Sequence, residues 1–116
     1  MSHFTRIDAT LTSNEKEAVN PEKIIAGSPQ QFTINQFTNA RENMFVGIWG
    51  SDKGKWNVAY SEDEFCTILE GEAILTEQGG IPQHLKAGDH FTIAAGFEGT
   101  WETVTPVKKL YVIYEE

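Results

Sequence analysis

The stretch "DEFCTILEGEAILT", residues 63–76, has the composition of a β-strand, but it begins with two acids. Successive side chains of a strand point to opposite faces, so Glu64 shares a face with Cys66 and Ile68. Phe65 begins the row on the other face. If the Glu64 face is the interior, the strand places a carboxylate inside the protein. Such a group needs a hydrogen-bonding partner or a functional reason to be there.

The composition of the chain is that of one ordinary globular domain. It has 116 residues, of which 40% are apolar and 22% charged, and this length is typical of a single domain. Seventeen acidic residues against nine lysines and arginines give a net charge of -8. Because an acidic surface repels a phosphate backbone, we expect no nucleic-acid partner.

Cysteine usage and the first residues indicate where the protein resides. Cys66 is the one cysteine, so no intramolecular disulfide forms, which fits a reducing compartment. The start "MSHFTRIDATL" lacks the apolar core of a signal peptide. No stretch approaches the roughly 20 apolar residues that a membrane-spanning helix needs. We expect a cytoplasmic protein with no membrane partner.

The chain divides into an arm, residues 1–30, and a body, residues 31–116. The arm is polar and rich in turn residues, so we expect it to be mostly irregular. Asn20 is suited to cap one helical turn, Pro21 to begin it and Gly27 to end it. The sequence therefore predicts an irregular arm with one helical turn, laid across the body.

The body consists of short segments rich in β-branched and aromatic residues, separated by turn residues. Such segments, with no helical stretch between them, predict an all-β sandwich, jelly roll or barrel. The pattern by itself does not choose among these three. The predicted strands are Phe32–Phe37, Met44–Trp49, Lys55–Tyr60, Glu64–Leu69, Glu72–Glu77, Gln83–Lys86, His90–Ala94, Thr100–Val104 and Lys108–Tyr114.

Two motifs in the body resemble the signature motifs of the cupin superfamily. Glu64 is followed after six residues by Gly71, and "GDHFTIAAGFEGTWE", residues 88–102, carries glycines at the spacing of the second motif. The resemblance is greatest to small single-domain cupins of unassigned function, near the ureidoglycine aminohydrolases and the ethanolamine-utilisation cupins. It implies a cupin jelly-roll β-barrel of two antiparallel sheets. In that barrel we expect Gly71 to join two strands through a tight turn with positive φ and Gly96 to permit a bend.

The resemblance departs from metal-binding cupins at the ligand positions. Those proteins hold a divalent ion with three histidines and a glutamate, and here only Glu64 matches. Without imidazoles a transition-metal site of that type is poor. We therefore expect no metal ion and no other cofactor. The histidine positions are held by Val58 and Tyr60, or by Asn57 and Ala59 in the alternative spacing, and by Gly99.

The same motifs predict which residues line the barrel. Glu64 is the polar anchor, with the Tyr60 hydroxyl, a water or a ligand as its partner, and these two residues are the candidate acid and base. Core packing is the commoner role for the aromatic residues, and the motif face favours the cavity. The predicted pocket consists of Trp56, Val58, Tyr60, Glu64, Cys66, Gly99, Trp101 and Tyr111.

Other polar residues have simpler explanations. A buried cysteine such as Cys66 is usually a small apolar filler. Lys109 has the option of pairing with Glu64, although a solvent-facing strand lysine is the simpler interpretation. Tyr111 faces inward only if the last strand keeps Lys109, Tyr111 and Ile113 on one face. The three histidines match no cupin ligand position.

Three functions stay open at this point. The first is a binding module that holds a small polar or aromatic molecule, oriented by Glu64 and Tyr60 on a Trp101 platform. The second is a small-molecule enzyme: a metal-free isomerase or epimerase that uses Glu64 and Tyr60, or an aminohydrolase similar to ureidoglycine aminohydrolase. The third is a structural role with a plugged cavity. Because the outward row of Phe65, Thr67 and Leu69 needs cover, we expect a homodimer.

Overall fold

A computed structural model of the protein describes residues 2–116. Its strands are β1 (Glu17–Ala18), β2 (Ile24–Ala26), β3 (Gln30–Thr38), β4 (Met44–Ser51), β5 (Gly54–Ala59), β6 (Asp63–Glu77), β7 (Gln83–Lys86), β8 (His90–Ile93) and β9 (Glu98–Tyr114). One turn of 3-10 helix, Pro21–Lys23, lies between β1 and β2. Within the described residues, no helix has the length and apolar character needed to cross a lipid bilayer. The predicted all-β class is confirmed.

Two antiparallel sheets share the long strands β6 and β9. The first half of β6 lies between β8 and the C-terminal half of β9, and its second half lies between β7 and the N-terminal half of β9. Strand β9 then pairs with β4 through residues 107–114 and with β5 through residues 98–103. One sheet is therefore ordered β1-β3-β4-β9-β6-β8 and the other β2-β5-β9-β6-β7. This is the predicted jelly roll.

Strand β6 corrects the prediction that Gly71 sits in a tight turn between two strands. Gly71 has the expected positive φ of 82°, but the chain bends there without reversing. The register against β9 shifts at three places between Ile68 and Ala73, so bulges absorb the bend. The segments predicted as 64–69 and 72–77 are consequently one strand.

Strand β9 corrects a second predicted break, at Thr105-Pro106. Proline removes a ladder hydrogen bond and therefore belongs at edges or bulges. Pro106 lies opposite the bulged part of β6, where the ladder passes from Glu70–Lys108 to Glu72–Thr105. The strand therefore continues through the proline, and both sheets are tied to one continuous chain.

The arm contains more regular structure than its composition predicts. The helical turn is confirmed, and the Asn20 Oδ1 accepts a hydrogen bond of 3.0 Å from the Glu22 N–H. The turn ends at Lys23, whereas Gly27, predicted to end it, lies beyond β2 with a φ of 79°. Strands β1 and β2 pair with β3 and β5, one on each sheet. The arm is thus anchored to the edges of the body.

The hydrophobic core draws on both sheets, and two of its members are tryptophans. Trp101 is 1% exposed and Trp56 is 6% exposed. Most of the other core residues lie on the shared strands β6 and β9, because alternation along these strands points every second side chain inward. The core cluster consists of Val19, Trp56, Ile68, Ala73, Leu75, Leu85, Ile93, Trp101 and Val107.

Replacing Gly71 with alanine tests the bend in β6. A Cβ at Gly71 would lie 2.1 Å from the Pro106 carbonyl oxygen of β9. Gly79 has a similar φ of 80°, but a Cβ there meets nothing within 4 Å, so Gly79→Ala is the matched control. We expect Gly79→Ala to cost about 1–2 kcal/mol of unfolding free energy from backbone strain. Gly71→Ala should cost about 1–3 kcal/mol more, from the clash.

Urea denaturation followed by circular dichroism measures both variants. Equal losses of unfolding free energy in Gly71→Ala and Gly79→Ala would show that the chain relieves the clash between β6 and β9 at no cost.

Candidate functional site

A cavity of about 450 Å3 lies between the inner faces of the two sheets. Strands β3, β4, β5, β6 and β9 all contribute to its wall, because each presents alternate side chains inward. It is lined by Gln31, Thr33, Asn35, Phe45, Trp49, Trp56, Val58, Tyr60, Glu64, Trp101, Lys109, Tyr111 and Ile113. The size is typical of a pocket for a small molecule.

A buried ion pair forms one wall of the cavity. The Lys109 Nζ lies 3.4 Å from the Glu64 Oε1, and both side chains are 7% exposed. Glu64 pairs in register with Ile113, and Ile68 pairs with Lys109, so alternate residues of β6 and β9 meet on the inner face. Glu64 thus lines the cavity, as predicted, but its partner is a lysine. The interpretation of Lys109 as a solvent-facing residue is wrong, because β9 keeps Lys109, Tyr111 and Ile113 on the cavity side.

Two tryptophans hold the ammonium group of Lys109. Its Nζ lies 5.0 Å from the centroid of the Trp49 ring and 4.9 Å from that of the Trp101 ring. A desolvated cation at these distances is attracted by the ring faces. The two rings meet edge to face, with centroids 5.5 Å apart. The ammonium is therefore stabilised by two indoles as well as by the carboxylate.

The Trp101 ring is fixed by a buried hydroxyl pair. Its Nε1–H donates to the Thr103 Oγ1 over 2.9 Å, and that hydroxyl is hydrogen-bonded to the Ser51 Oγ. Thr103 is fully buried. These hydrogen bonds fix the orientation of the indole, whose ring face is turned toward the Lys109 ammonium.

Polar side chains of β3, in the same sheet as the ion pair, support two further aromatic side chains of the wall. The Trp49 Nε1–H donates to the Gln31 Oε1 over 3.0 Å, and the Tyr111 hydroxyl donates to the Asn35 Oδ1 over 2.9 Å. These bonds fix two aromatic side chains whose polar atoms would otherwise be unpaired next to apolar neighbours.

Burial changes the titration of the groups around the ion pair. Burial raises the pKa of the Tyr60 hydroxyl to about 12 and the pKa of the Cys66 thiol to about 12, because both charged forms are anions. Burial alone would lower the pKa of the Lys109 ammonium, but the acidic groups of Cys66, Glu64 and Tyr60 raise it above its ordinary value. At neutral pH, Lys109 is a cation and Tyr60 is a hydrogen-bond donor.

Six of the eight predicted pocket residues line this cavity, and two do not. The six are Trp56, Val58, Tyr60, Glu64, Trp101 and Tyr111. Cys66 is fully buried and packs behind the ion pair. Gly99 lines a neighbouring surface cleft of about 510 Å3, and a Cβ there would lie 1.9 Å from the Thr76 carbonyl oxygen. The glycine is needed for the close approach of β9 to β6.

Sequence reasoning missed Trp49, although the signal was present. In the predicted strand Met44–Trp49, period-two alternation puts Phe45, Gly47 and Trp49 on one face. A Cβ at Gly47 would collide with the Ile34 carbonyl oxygen and lie 2.6 Å from the Tyr111 hydroxyl, so a glycine is needed there. The two aromatic residues that flank it on the same face, Phe45 and Trp49, both line the cavity.

A sequence model of the EutQ-like cupin domain matches residues 38–111. The chain belongs to the EutQ-like cupin family. This confirms the resemblance stated from the motifs. No curated protein matches this cupin in sequence.

Solved structures share its fold. A Pseudomonas syringae pv. tomato protein of unknown function from the DUF861 family has a TM-score of 0.83 at 21% identity, over 92% of this chain and 46% of that protein. A putative ethanolamine utilization protein Q from Salmonella typhimurium has a TM-score of 0.63 at 26% identity, over 76% and 70%. A DUF861 family protein from Thermotoga maritima has a TM-score of 0.54 at 31% identity, over 55% and 73%. This cupin thus spans less than half of the Pseudomonas protein.

The residues at the cupin metal position do not fit a divalent ion. Across residues 2–116, no group of three or more His, Cys, Asp and Glu side chains is arranged to hold a metal. The one carboxylate, Glu64, already faces the ammonium of Lys109, so a second cation there would be repelled. A metal-free barrel stays a prediction, and metal analysis of the purified protein tests it.

Removing Lys109 tests the ion pair. Lys109→Met leaves Glu64 as a buried charge without a partner, and we expect a loss of about 3–5 kcal/mol in unfolding free energy. The double variant Lys109→Met/Glu64→Leu removes both charges and should recover most of that loss. The control is Lys86→Met, since Lys86 pairs with Asp89 at 3.8 Å and its side chain is 75% exposed. It should cost about 1 kcal/mol or less.

Urea titration of the three variants gives the comparison. A Lys109→Met variant no less stable than Lys86→Met would mean that Glu64 does not depend on its partner.

Alkaline pH tests the buried thiol and phenol. The pKa of Cys66 rises from 9.0 to about 12 and that of Tyr60 from 10.0 to about 12. Between pH 9 and 12 the folded state therefore binds more protons than the unfolded state, so the unfolding free energy falls as pH rises. Each group contributes a slope of about 1.4 kcal/mol per pH unit between its two pKa values.

Because the thiol has the lower unfolded pKa, we expect Cys66→Ala to move the start of this fall from near pH 9 to near pH 10. The measurement is the urea midpoint against pH for both proteins. Superimposable curves would contradict the assignment of the first phase to Cys66.

Proposed function

We propose that this cupin binds a small planar molecule with a polar group in the barrel cavity, without a metal ion. The observation that carries the proposal is the Lys109–Glu64 pair, buried at the wall of a cavity lined by all three tryptophans of the chain. A buried ion pair contributes little to stability compared with apolar residues of similar size. Its presence beside an open cavity is therefore better explained by recognition.

The aromatic walls of the cavity determine the shape of the ligand. Trp49, Trp56 and Trp101 present rings at mutual angles of 57° and 90°, which suits a flat molecule lying against one ring and edge-on to another. The polar group of the ligand then reaches the ion pair. This combination of an apolar body and few polar contacts is usual in small-molecule pockets.

The enzymatic alternatives have less support. An isomerase that uses Glu64 and Tyr60 needs one of them to take a proton, but the raised pKa of about 12 keeps the Tyr60 hydroxyl protonated. The Glu64 Oε1 already accepts a hydrogen bond from the Lys109 ammonium, so the carboxylate is engaged with a group other than a substrate. An aminohydrolase that works at a metal needs a set of metal ligands that this chain lacks.

The homodimer and the cytoplasmic location are further predictions that accompany the proposal.

Tryptophan signals give a direct test of binding. Each indole N–H gives its own cross-peak in a 15N–1H spectrum, and all three indoles line the cavity. We expect benzyl alcohol to shift these peaks saturably with a millimolar Kd, and myo-inositol, which is polar but not planar, to leave them unchanged.

The matched variants are Val58→Phe, which narrows the cavity from β5, and Asn57→Phe, at the exposed neighbouring position. Val58→Phe should weaken benzyl alcohol binding about ten-fold or more, while Asn57→Phe should leave it unchanged. An absence of saturable shifts in the unmodified protein would refute the proposal.

A further inference from the structure

The ion pair has hydrogen-bonding capacity left over. A lysine ammonium has three N–H donors and a carboxylate has two oxygens. One Lys109 N–H donates to the Glu64 Oε1 and the Cys66 thiol interacts with both groups, which leaves capacity for a further donor and a further acceptor. Within residues 2–116, no fully buried side-chain nitrogen or oxygen lacks a partner. The second Glu64 oxygen is therefore open to the cavity. The remaining Lys109 donor and the second Glu64 oxygen belong to two groups that both line this cavity.

The charge balance favours a neutral ligand. Lys109 and Glu64 cancel each other, and the neighbouring Tyr60 and Cys66 are uncharged at neutral pH because the pKa of each is raised to about 12. A carboxylate or an amine would bring an unpaired charge into a mostly apolar cavity, which is costly. The net charge of -8 also disfavours the approach of an anion.

The donor and the acceptor are adjacent, and few neutral groups are complementary to that arrangement. Lys109 and Glu64 are joined through Oε1 at 3.4 Å, which leaves Oε2 of the same carboxylate as the acceptor. A ligand that contacts both groups therefore needs an acceptor beside a donor on one edge. An open-chain secondary amide is trans and presents its C=O and N–H on opposite edges. A lactam in a ring is held cis and presents both on the same edge. The flat ring also satisfies the tryptophan walls.

From this geometry we infer that the ligand is a neutral planar heterocycle with a lactam edge, whose C=O accepts from Lys109 and whose N–H donates to Glu64. The inference rests on the proposed function and specifies the ligand class. It gives Lys109 and Glu64 separate roles in recognition, one for each atom of the amide.

Three probes of similar size test the inference in the indole titration. They are 2-pyridone, which has the complete lactam edge, N-methyl-2-pyridone, which lacks the donor, and benzoate, which is an anion. We expect the Kd of 2-pyridone to be at least ten-fold lower than those of the other two. In the double variant Glu64→Leu/Lys109→Met, the Kd values of 2-pyridone and N-methyl-2-pyridone should become equal within about two-fold.

The possible outcomes separate the two proposals. If the three probes shift the indole signals with similar Kd values, or if benzoate binds most tightly, the lactam inference is wrong and small-molecule binding stands. If the double variant still prefers 2-pyridone, the ion pair is not the recognising group and the inference is also wrong. If none of the probes shifts any indole signal, both proposals are wrong.

Discussion

The pairing of β6 with β9 is the constraint on which the rest of the structure depends. It runs from Asp63–Tyr114 to Glu77–Gly99 and passes from one sheet into the other. The two sheets are consequently positioned by a single antiparallel ladder, which bends where Gly71 meets Pro106. The same register decides which side chains of β9 face inward. A shift by one residue would exchange Lys109 for Lys108 in the cavity, so fold and site are specified together.

Burying the Lys109 ammonium has an electrostatic cost, and the groups packed around it offset that cost. The carboxylate of Glu64 and the rings of Trp49 and Trp101 compensate for the water that the Lys109 ammonium loses on burial. In metal-binding cupins a divalent ion supplies positive charge at this end of the barrel. Here the ammonium of Lys109 supplies positive charge beside Glu64. The chemistry of the site is therefore that of hydrogen bonding in a low dielectric medium.

Much of the fold followed from the sequence, because glycine spacing and strand alternation are local signals. They correctly placed β4, β5, β7 and β8, and also the inward orientation of Glu64. The continuity of β6 did not follow, since a bulge and a turn both call for a positive-φ glycine. The continuity of β9 did not follow because a proline such as Pro106 usually ends a central strand. For Lys109, pairing with Glu64 was one of two open interpretations, and the solvent-facing one was wrongly preferred. Nothing local distinguishes a buried lysine from a solvated one, and only its neighbours across the sheet, Glu64 and the two tryptophans, stabilise its charge inside.

The ion pair also constrains how the sequence can evolve. Losing either charge alone costs about 3–5 kcal/mol, a large part of the 5–15 kcal/mol that keeps a small domain folded. Single substitutions at Lys109 or Glu64 are therefore destabilising whether or not the cavity binds a ligand. A histidine at Gly99 would also collide with the Thr76 carbonyl oxygen, so it cannot be introduced without moving β9 away from β6. Changes at these positions are tolerated only in combination with changes at their contact partners.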